Sequence, residues 1–359
     1  RSHLYHINKI KEIYPDSIII AVLNGYFTQR GTISIISKED KTKIALNHNI
    51  DIVIELPFVY GTQSSDIFAY NSIKLLNELK VDTIVFGSES NNVNLLNKVV
   101  DIQLNDPQYE DNVKNYLDEG LNYPTAMKKA LNIEEDFSNP NDLLGISYIK
   151  AIKKINPNIN VQTIKRTNDY HDTASNESIV SASNIRNKIY NNEDITSFVP
   201  KDVPSKINNI SNNNLFNYLK FKILTDKDLS IYLDVDEGIE YRIKKFINSS
   251  SNIDELIENI KTKRYTYNKI NRMLLHIMIG LTKKDNDNSN LDYIKILGFN
   301  NRGQQHLKNI RKDMTMSTNI NKESLIYNYE LKAVYLYELA IKASLDNFDI
   351  KNIPIKKDI

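Results

Sequence analysis

No cysteine occurs anywhere in the 359 residues. Its absence excludes disulfides, thiolate metal sites and cysteine nucleophiles, and fits a reducing compartment. Long apolar runs of the kind that cross a bilayer are missing too, and the opening Arg1-Ser2-His3-Leu4-Tyr5-His6 has no signal-type hydrophobic region. The chain therefore reads as cytoplasmic, without a membrane partner. No repeat of fixed period and no sustained heptad is found, which excludes a solenoid or a long coiled coil. What remains is 41% hydrophobic and 25% charged, the balance of a globular protein. At this length one ordinary core is too small, so two domains are expected.

The net charge of +1 conceals an asymmetry. Residues 1–200 carry 20 Lys+Arg against 25 Asp+Glu, and residues 201–359 carry 26 against 20. A basic half beside an acidic one is consistent with a polyanion held by the second domain, or with ordinary drift of surface charge. Composition alone leaves both readings open.

Periodicity divides the chain in the same place. Leu4, Ile7, Ile10 and Ile13 share a helical face. Residues 17–23 form an apolar, β-branched run, the mark of a parallel strand covered on both faces. A helix over 37–47, a strand over 51–56, a helix capped near Ser64 and reaching Lys80, and a strand over 81–86 follow. A polar helical insertion spans about 91–132, with turn marks at Pro107 and Pro124. Asn139 reads as the cap of a helix whose first turn holds Pro140, and that helix leads to a strand over 160–164. Strands alternating with helices predict a doubly wound, Rossmann-like α/β sheet over residues 1–200. Residues 198–214, with Pro200 and Pro204, read as a linker. Beyond it every periodic segment reads as helical, so residues 201–359 are expected to be a mainly α, basic domain.

Several chemistry-bearing groups fall at strand ends or helix starts, where open α/β sheets bind ligands. Arg30 lies in the loop Gly25 to Gly31 after the first strand. Gly87, Ser88 and Glu89 follow the third strand, Asn141 opens a helix, and Lys165 and Arg166 end the fourth strand. Ser183 and Arg186 sit at the start of a further helix, whose free amides and dipole suit a phosphate. Each piece alone is an ordinary cap or a solvated cation; together they could converge on one triphosphate. His171 stands beside Asp172 and could serve as a general base or steady a phosphate, or be a surface residue. His3 and His6 share a helical face at a spacing of three, which would suit a metal or a phosphate, or simply a half-exposed helix surface. In the second half Lys261, Lys263, Arg264, Tyr265, Tyr267 and Arg272 interleave cations with aromatics. Single-stranded RNA is bound by such a mixture, although charged helical faces are more often merely wet.

Taken together, these motifs resemble the bacterial tRNA(Met) cytidine acetate ligase family, a branch of the HxGH nucleotidylyltransferase superfamily. The resemblance runs over essentially the whole chain: residues 3–6, 25–31, 54–57, 86–89, 140–148, 164–166, 171–172, 181–186 and 261–267. It implies an enzyme that binds ATP, activates acetate as acetyl-adenylate, and passes the acetyl group to N4 of the wobble cytidine of elongator tRNA(Met). It implies that His3 is the second signature histidine and that Gly87, Asn141 and Arg166 lie in the ATP site. Position and chemistry add Ser183 and Arg186 at the phosphates, with Arg30 as a secondary member. Magnesium is expected with ATP, and no protein ligand set for a metal is assigned.

The family pattern departs at the start, where a strand and an Asn-Pro-Phe-His-Asn-Gly-His segment are replaced by Arg1-Ser2-His3. That strand would be central to the sheet. The expectation is that the chain is a piece of a longer protein; a degraded copy is the other reading. Asn184 and Tyr26 are milder departures. A small-molecule adenylyltransferase of the same superfamily and a tRNA-binding homologue with impaired catalysis remain as rival functions.

Overall fold

The structure, a computed structural model, describes residues 2–121, 123–166, 182–262, 265–345, 348–351 and 353–358. The chain begins with α1 (Ser2–Ile13), β1 (Ile20–Asn24), α2 (Lys38–Asn47), β2 (Ile52–Leu56), α3 (Phe58–Gly61), α4 (Ser65–Glu78) and β3 (Thr83–Ser88). Three helices of the insertion follow, α5 (Val93–Asn105), α6 (Tyr109–Asp118) and α7 (Tyr123–Leu131). Pro124 belongs to the first turn of α7, where its missing N–H is harmless, so it starts a helix as well as ending a loop. Next come α8 (Pro140–Ile155), β4 (Asn160–Lys165) and α9 (Ala182–Tyr190).

The later residues form α10 (Asn212–Thr225), α11 (Ile239–Phe246), α12 (Ile253–Ile260), α13 (Tyr267–Ile279) and α14 (Lys283–Asp287). They end in β5 (Lys295–Asn300), α15 (Asn301–Ile310), α16 (Leu325–Ile341), α17 (Phe348–Lys351) and β6 (Ile355–Lys357). No described helix is long and apolar enough to cross a membrane.

The fold is mixed α/β with parallel strand pairs, as expected, but its sheets are arranged in an unanticipated way. β1 and β2 are parallel, β5 joins β2 antiparallel, and β6 joins β5, giving the order β1-β2-β5-β6. β3 and β4 form a separate parallel pair. The expectation that residues beyond 214 would be helical throughout is therefore corrected. β5 escaped notice because Lys295 and Gly298 interrupt its apolar pattern, and both are required by partners distant in sequence. Gly298 faces the backbone of β6, where a Cβ would lie 2.9 Å from the Ile355 carbonyl oxygen.

Apolar burial follows strand alternation. Ile52, Ile54 and Leu56 of β2 enter the largest core cluster, with residues of α10 to α13 and α16, while Val53 faces a smaller cluster with Leu46 and Leu297. A third cluster packs β3 against α4 to α8, and Ile20 and Val22 of β1 pack partly against both it and the largest one. The stretch expected to be a loose linker also packs: Val199 and Val203 are buried with Ile185 and Ile189 of α9, and Ile207 bridges Ile36.

A buried ion cluster joins the ends of the chain. Lys38 Nζ lies 2.6 Å from Glu55 Oε1 and 3.6 Å from Glu330 Oε2, and also pairs with Asp349. Lys295 Nζ lies 3.1 Å from Glu55 Oε2 and 2.5 Å from Asp349 Oδ1, and Tyr26 donates its hydroxyl to Asp349 at 2.7 Å. Three carboxyl groups thus face two lysines. Glu55 and Asp349 are held below the usual carboxylate range: burial opposes this, but the two lysines outweigh it. Glu330 is the carboxyl left over, and burial followed by repulsion from Glu55 pushes it up to about 8.

Because a free glutamate titrates near about 4.3, the folded protein holds the extra proton between that pH and 8, and stability falls as pH rises through this window. Glu330→Gln is expected to flatten that part of the profile. Calorimetric unfolding from pH 4.5 to 8 checks this, and a slope unchanged from the parent chain would reject the assignment.

Candidate nucleotide site

Parallel pairing of β3 with β4 places Gly87 opposite Ile164 and Ser88 opposite Lys165, and the Arg166 N–H donates to the Ser88 carbonyl at 3.0 Å. The Arg166 stem crosses the face of Gly87, where a Cβ would be 3.5 Å from its Cγ. α1 lies beside this strand end. His6 interacts with the Val85 backbone, and both His3 and His6 feel the charge of Arg166.

Both imidazoles are held below their ordinary value, first by removal from water and then by neighbouring positive groups including Arg166. His3 nevertheless lies at the surface as an exposed residue. His6 Nε2 and Arg166 Nε are buried and have no hydrogen-bond partner among the described residues. Buried polar atoms are normally satisfied, so two such atoms at one strand end suit an acceptor-rich ligand such as a nucleotide phosphate.

Asn141 joins this group through Glu89. The Glu89 carboxylate accepts from the Asn141 side chain at 2.5 Å, the Asn141 N–H at 3.4 Å and the Asp142 N–H at 3.0 Å. It therefore caps α8 from outside the helix. The expected cap, Asn139, makes no capping bond and turns to Asp136 instead. Asp142, fully buried, returns the link by accepting from Ser88 Oγ and from the Ser90 N–H at 2.9 Å. Glu89 and Asp142 were present in the motifs but given no role. Glu89 and Asn141 are 52 residues apart, a pairing no local pattern reveals.

A second group of cations gathers at the loop after β1. Arg30 and Arg186 are close enough to repel, and burial first, then Arg186, lowers the Arg30 pKa. Burial lowers that of Arg186 as well. The loop is fixed from two sides. Lys41 Nζ donates to the Asn24 carbonyl at 2.7 Å and to that of Gly25, and burial followed by repulsion from Lys38 brings Lys41 to about 7.

On the other side, Asn271 Nδ2 donates to the Arg30 carbonyl at 2.9 Å. Gly31, at φ +80°, packs against α13, where a Cβ would lie 2.8 Å from the Arg272 Cα. Only glycine meets both demands. His171 lies outside the described residues, as do Lys263 and Arg264, and so does the side chain of Ser183.

The aromatic and basic stretch of the later residues divides. Tyr265 is 4% exposed and donates to the Asp236 carbonyl at 2.7 Å, with burial raising its pKa to about 12; its ring belongs to the core and cannot stack on a base. Arg272 is half-buried. Lys261 is exposed and pairs with Glu258 at 2.9 Å, and Tyr267 is exposed with its hydroxyl on Asp254. No group of three or more histidines and carboxylates suited to a metal ion is found among the described residues.

Cations, histidines and small residues at the carboxyl ends of parallel strands define an α/β protein of the nucleotide-binding class. The chain belongs to the HIGH Nucleotidyl Transferase family, whose description matches residues 1–351. It is 37% identical to the tRNA(Met) cytidine acetate ligase of Caldicellulosiruptor saccharolyticus, over 95% of this chain and 89% of that protein. Identity to the tRNA(Met) cytidine acetate ligase of Clostridium novyi is 35%, over 99% and 96%. Among solved structures, apo Thermotoga maritima TmcAL superposes with a TM-score of 0.90 at 27% identity, covering 100% of this chain and 97% of that one. The same protein bound with alpha-thio ATP gives a TM-score of 0.87 with the same identity and coverage.

Removing the external cap tests the local architecture. Glu89→Ala is expected to lower stability by about 1–3 kcal/mol, since it leaves α8 amides and the Asn141 side chain without an acceptor. Chemical unfolding measures this; a loss under about 0.3 kcal/mol would mean that the cap is not made in solution.

Proposed function

We propose that this chain is an ATP-dependent tRNA(Met) cytidine acetate ligase. The observation that carries the reading is the buried, unpartnered Arg166 Nε beside Gly87 and the two α1 histidines, in a chain whose relatives bear that name. The alpha-thio ATP complex of TmcAL supports ATP as the nucleotide. In this reading residues 1–200 hold ATP and residues 201–359 present the tRNA, with Lys261, Lys263, Arg264 and Tyr267 on the RNA side.

The reaction has two steps. An acetate oxygen attacks the α-phosphorus, and the bond to the bridging oxygen breaks as pyrophosphate leaves. The only amine of cytosine is the exocyclic N4, which then attacks the acetyl carbon and displaces AMP. Arg166, with Arg30 and Arg186, balances charge that grows on phosphate oxygens; such prearranged cations act more strongly where water is excluded. His3 and His6, held below their ordinary pKa, are neutral near pH 7 and serve as hydrogen-bonding groups. Asn141, fixed by Glu89, and Ser183 bind the nucleotide, and His171 steadies a phosphate. Magnesium accompanying the nucleotide would supply further positive charge to the phosphates, with no protein ligand assigned to it.

Arg166→Ala should reduce acetate-dependent exchange of pyrophosphate into ATP by about 100-fold or more, the usual effect of losing one charge-stabilising donor. Exchange at the parental rate would remove Arg166 from the site, and exchange that ignores acetate would refute the ligase reading.

A further inference from the structure

The Arg186 face of α9 continues to a pair of exposed tyrosines, of which Tyr267 is already placed on the RNA side and Tyr190 has no role in the reaction above. Tyr190, the last residue of α9, is 52% exposed, and Tyr267, the first residue of α13, is 37% exposed. Asp254, exposed in the first turn of α12, connects them. Its Oδ1 accepts the Tyr267 hydroxyl, and Tyr190 lies within electrostatic reach of both Asp254 and Arg186. Tyr267 in turn lies within reach of Tyr190. Asp254 is thus hydrogen-bonded to Tyr267 and within electrostatic reach of Tyr190, which stands one helical turn of about 5.4 Å beyond Arg186 on α9.

This arrangement matches one base. Exposed aromatic rings provide stacking surfaces for an unpaired base, and a carboxylate accepts from the N4 amine that distinguishes cytosine. Uracil presents a carbonyl oxygen at that position and would meet the carboxylate with like polarity. A carboxylate with one bond made retains further acceptor sites. Arg186 would meanwhile hold the adenylate phosphate close to the incoming amine.

We propose that Tyr190, Asp254 and Tyr267 form the seat of the acceptor cytosine, with Asp254 receiving the N4 proton. The inference rests on the ligase reading and adds the residues that select the base. During transfer N4 bonds to the acetyl carbon, and the carbon–oxygen bond to the adenylate phosphate breaks with its electron pair passing to AMP. The proton lost by N4 goes to Asp254.

The test uses the full chain with ATP, labelled acetate and a tRNA(Met) transcript, following both acetate-dependent pyrophosphate exchange and label incorporated into RNA. Asp254→Asn is expected to lower the kcat of transfer about tenfold or more, with Asp254→Glu recovering part of it. Tyr190→Leu is expected to raise the KM for tRNA about tenfold, and Tyr190→Phe to restore it, because stacking needs the ring and not the hydroxyl. Parental transfer in Asp254→Asn and Tyr190→Leu would overturn the proposal. So would a raised KM for ATP in exchange without RNA, which would make the tyrosines the seat of adenine. A parent chain with no acetate-dependent exchange would instead sink the ligase reading itself.

Discussion

Two buried lysines hold this molecule in its shape. Lys38 of α2 and Lys295 of β5 lie among carboxyl groups from β2, α16 and α17, all nearly free of solvent. A buried charge without a partner is strongly unfavourable, so each of these segments is tied to the others by a demand that no apolar surface could impose with equal specificity. The same demand reaches the binding region. Gly25 is a glycine because Glu55 Oε1 would lie 2.5 Å from a Cβ there. Lys41 carries the constraint onward to the carbonyls of the loop that ends in Arg30 and Gly31.

The parts of this architecture written in local pattern were legible. Residues 17–23 announce a covered strand by their β-branched apolar run, Pro140 announces a helix start, and the β3 and β4 ends bring Gly87 and Arg166 together as their strand positions imply. Long-range compensation is what stayed hidden. A lysine at the start of β5 looks like a break until Glu55 and Asp349 are placed beside it. Asn139 has the composition of a cap, yet the capping oxygen comes from Glu89 across the loop. Tyr265 reads like Tyr267 in sequence, because alternation of cations and rings is equally compatible with a core tyrosine bonded to a carbonyl.

The two polar groups of the candidate site are each set by a constraint of their own. On one side a carboxylate fills the start of α8, which leaves Asn141 oriented and its helix amides already engaged. On the other side two arginines are brought close against their mutual repulsion, with glycine at position 31 allowing the loop to lie on α13. The loop that carries one arginine is thus shaped by contact with a helix of the later part of the chain. Membership of the HIGH nucleotidyl transferase family is consistent with this economy: strand ends supply the polar groups, and the surrounding helices fix their geometry.

Pairing of β2 with β5 also has a temporal meaning. Asp51 and Asn300, bonded at the edge of that pair, are separated by 249 residues. Contacts so distant in sequence form slowly, because a long stretch of chain must be brought round before they stabilise anything. During synthesis β2 emerges well before β5 and keeps an unprotected edge until that partner, with Asn300 of its end 249 residues beyond Asp51, has left the ribosome. Its open hydrogen-bonding side is then exposed to association with neighbouring chains, so the protein's yield in a cell depends on how quickly β5 arrives.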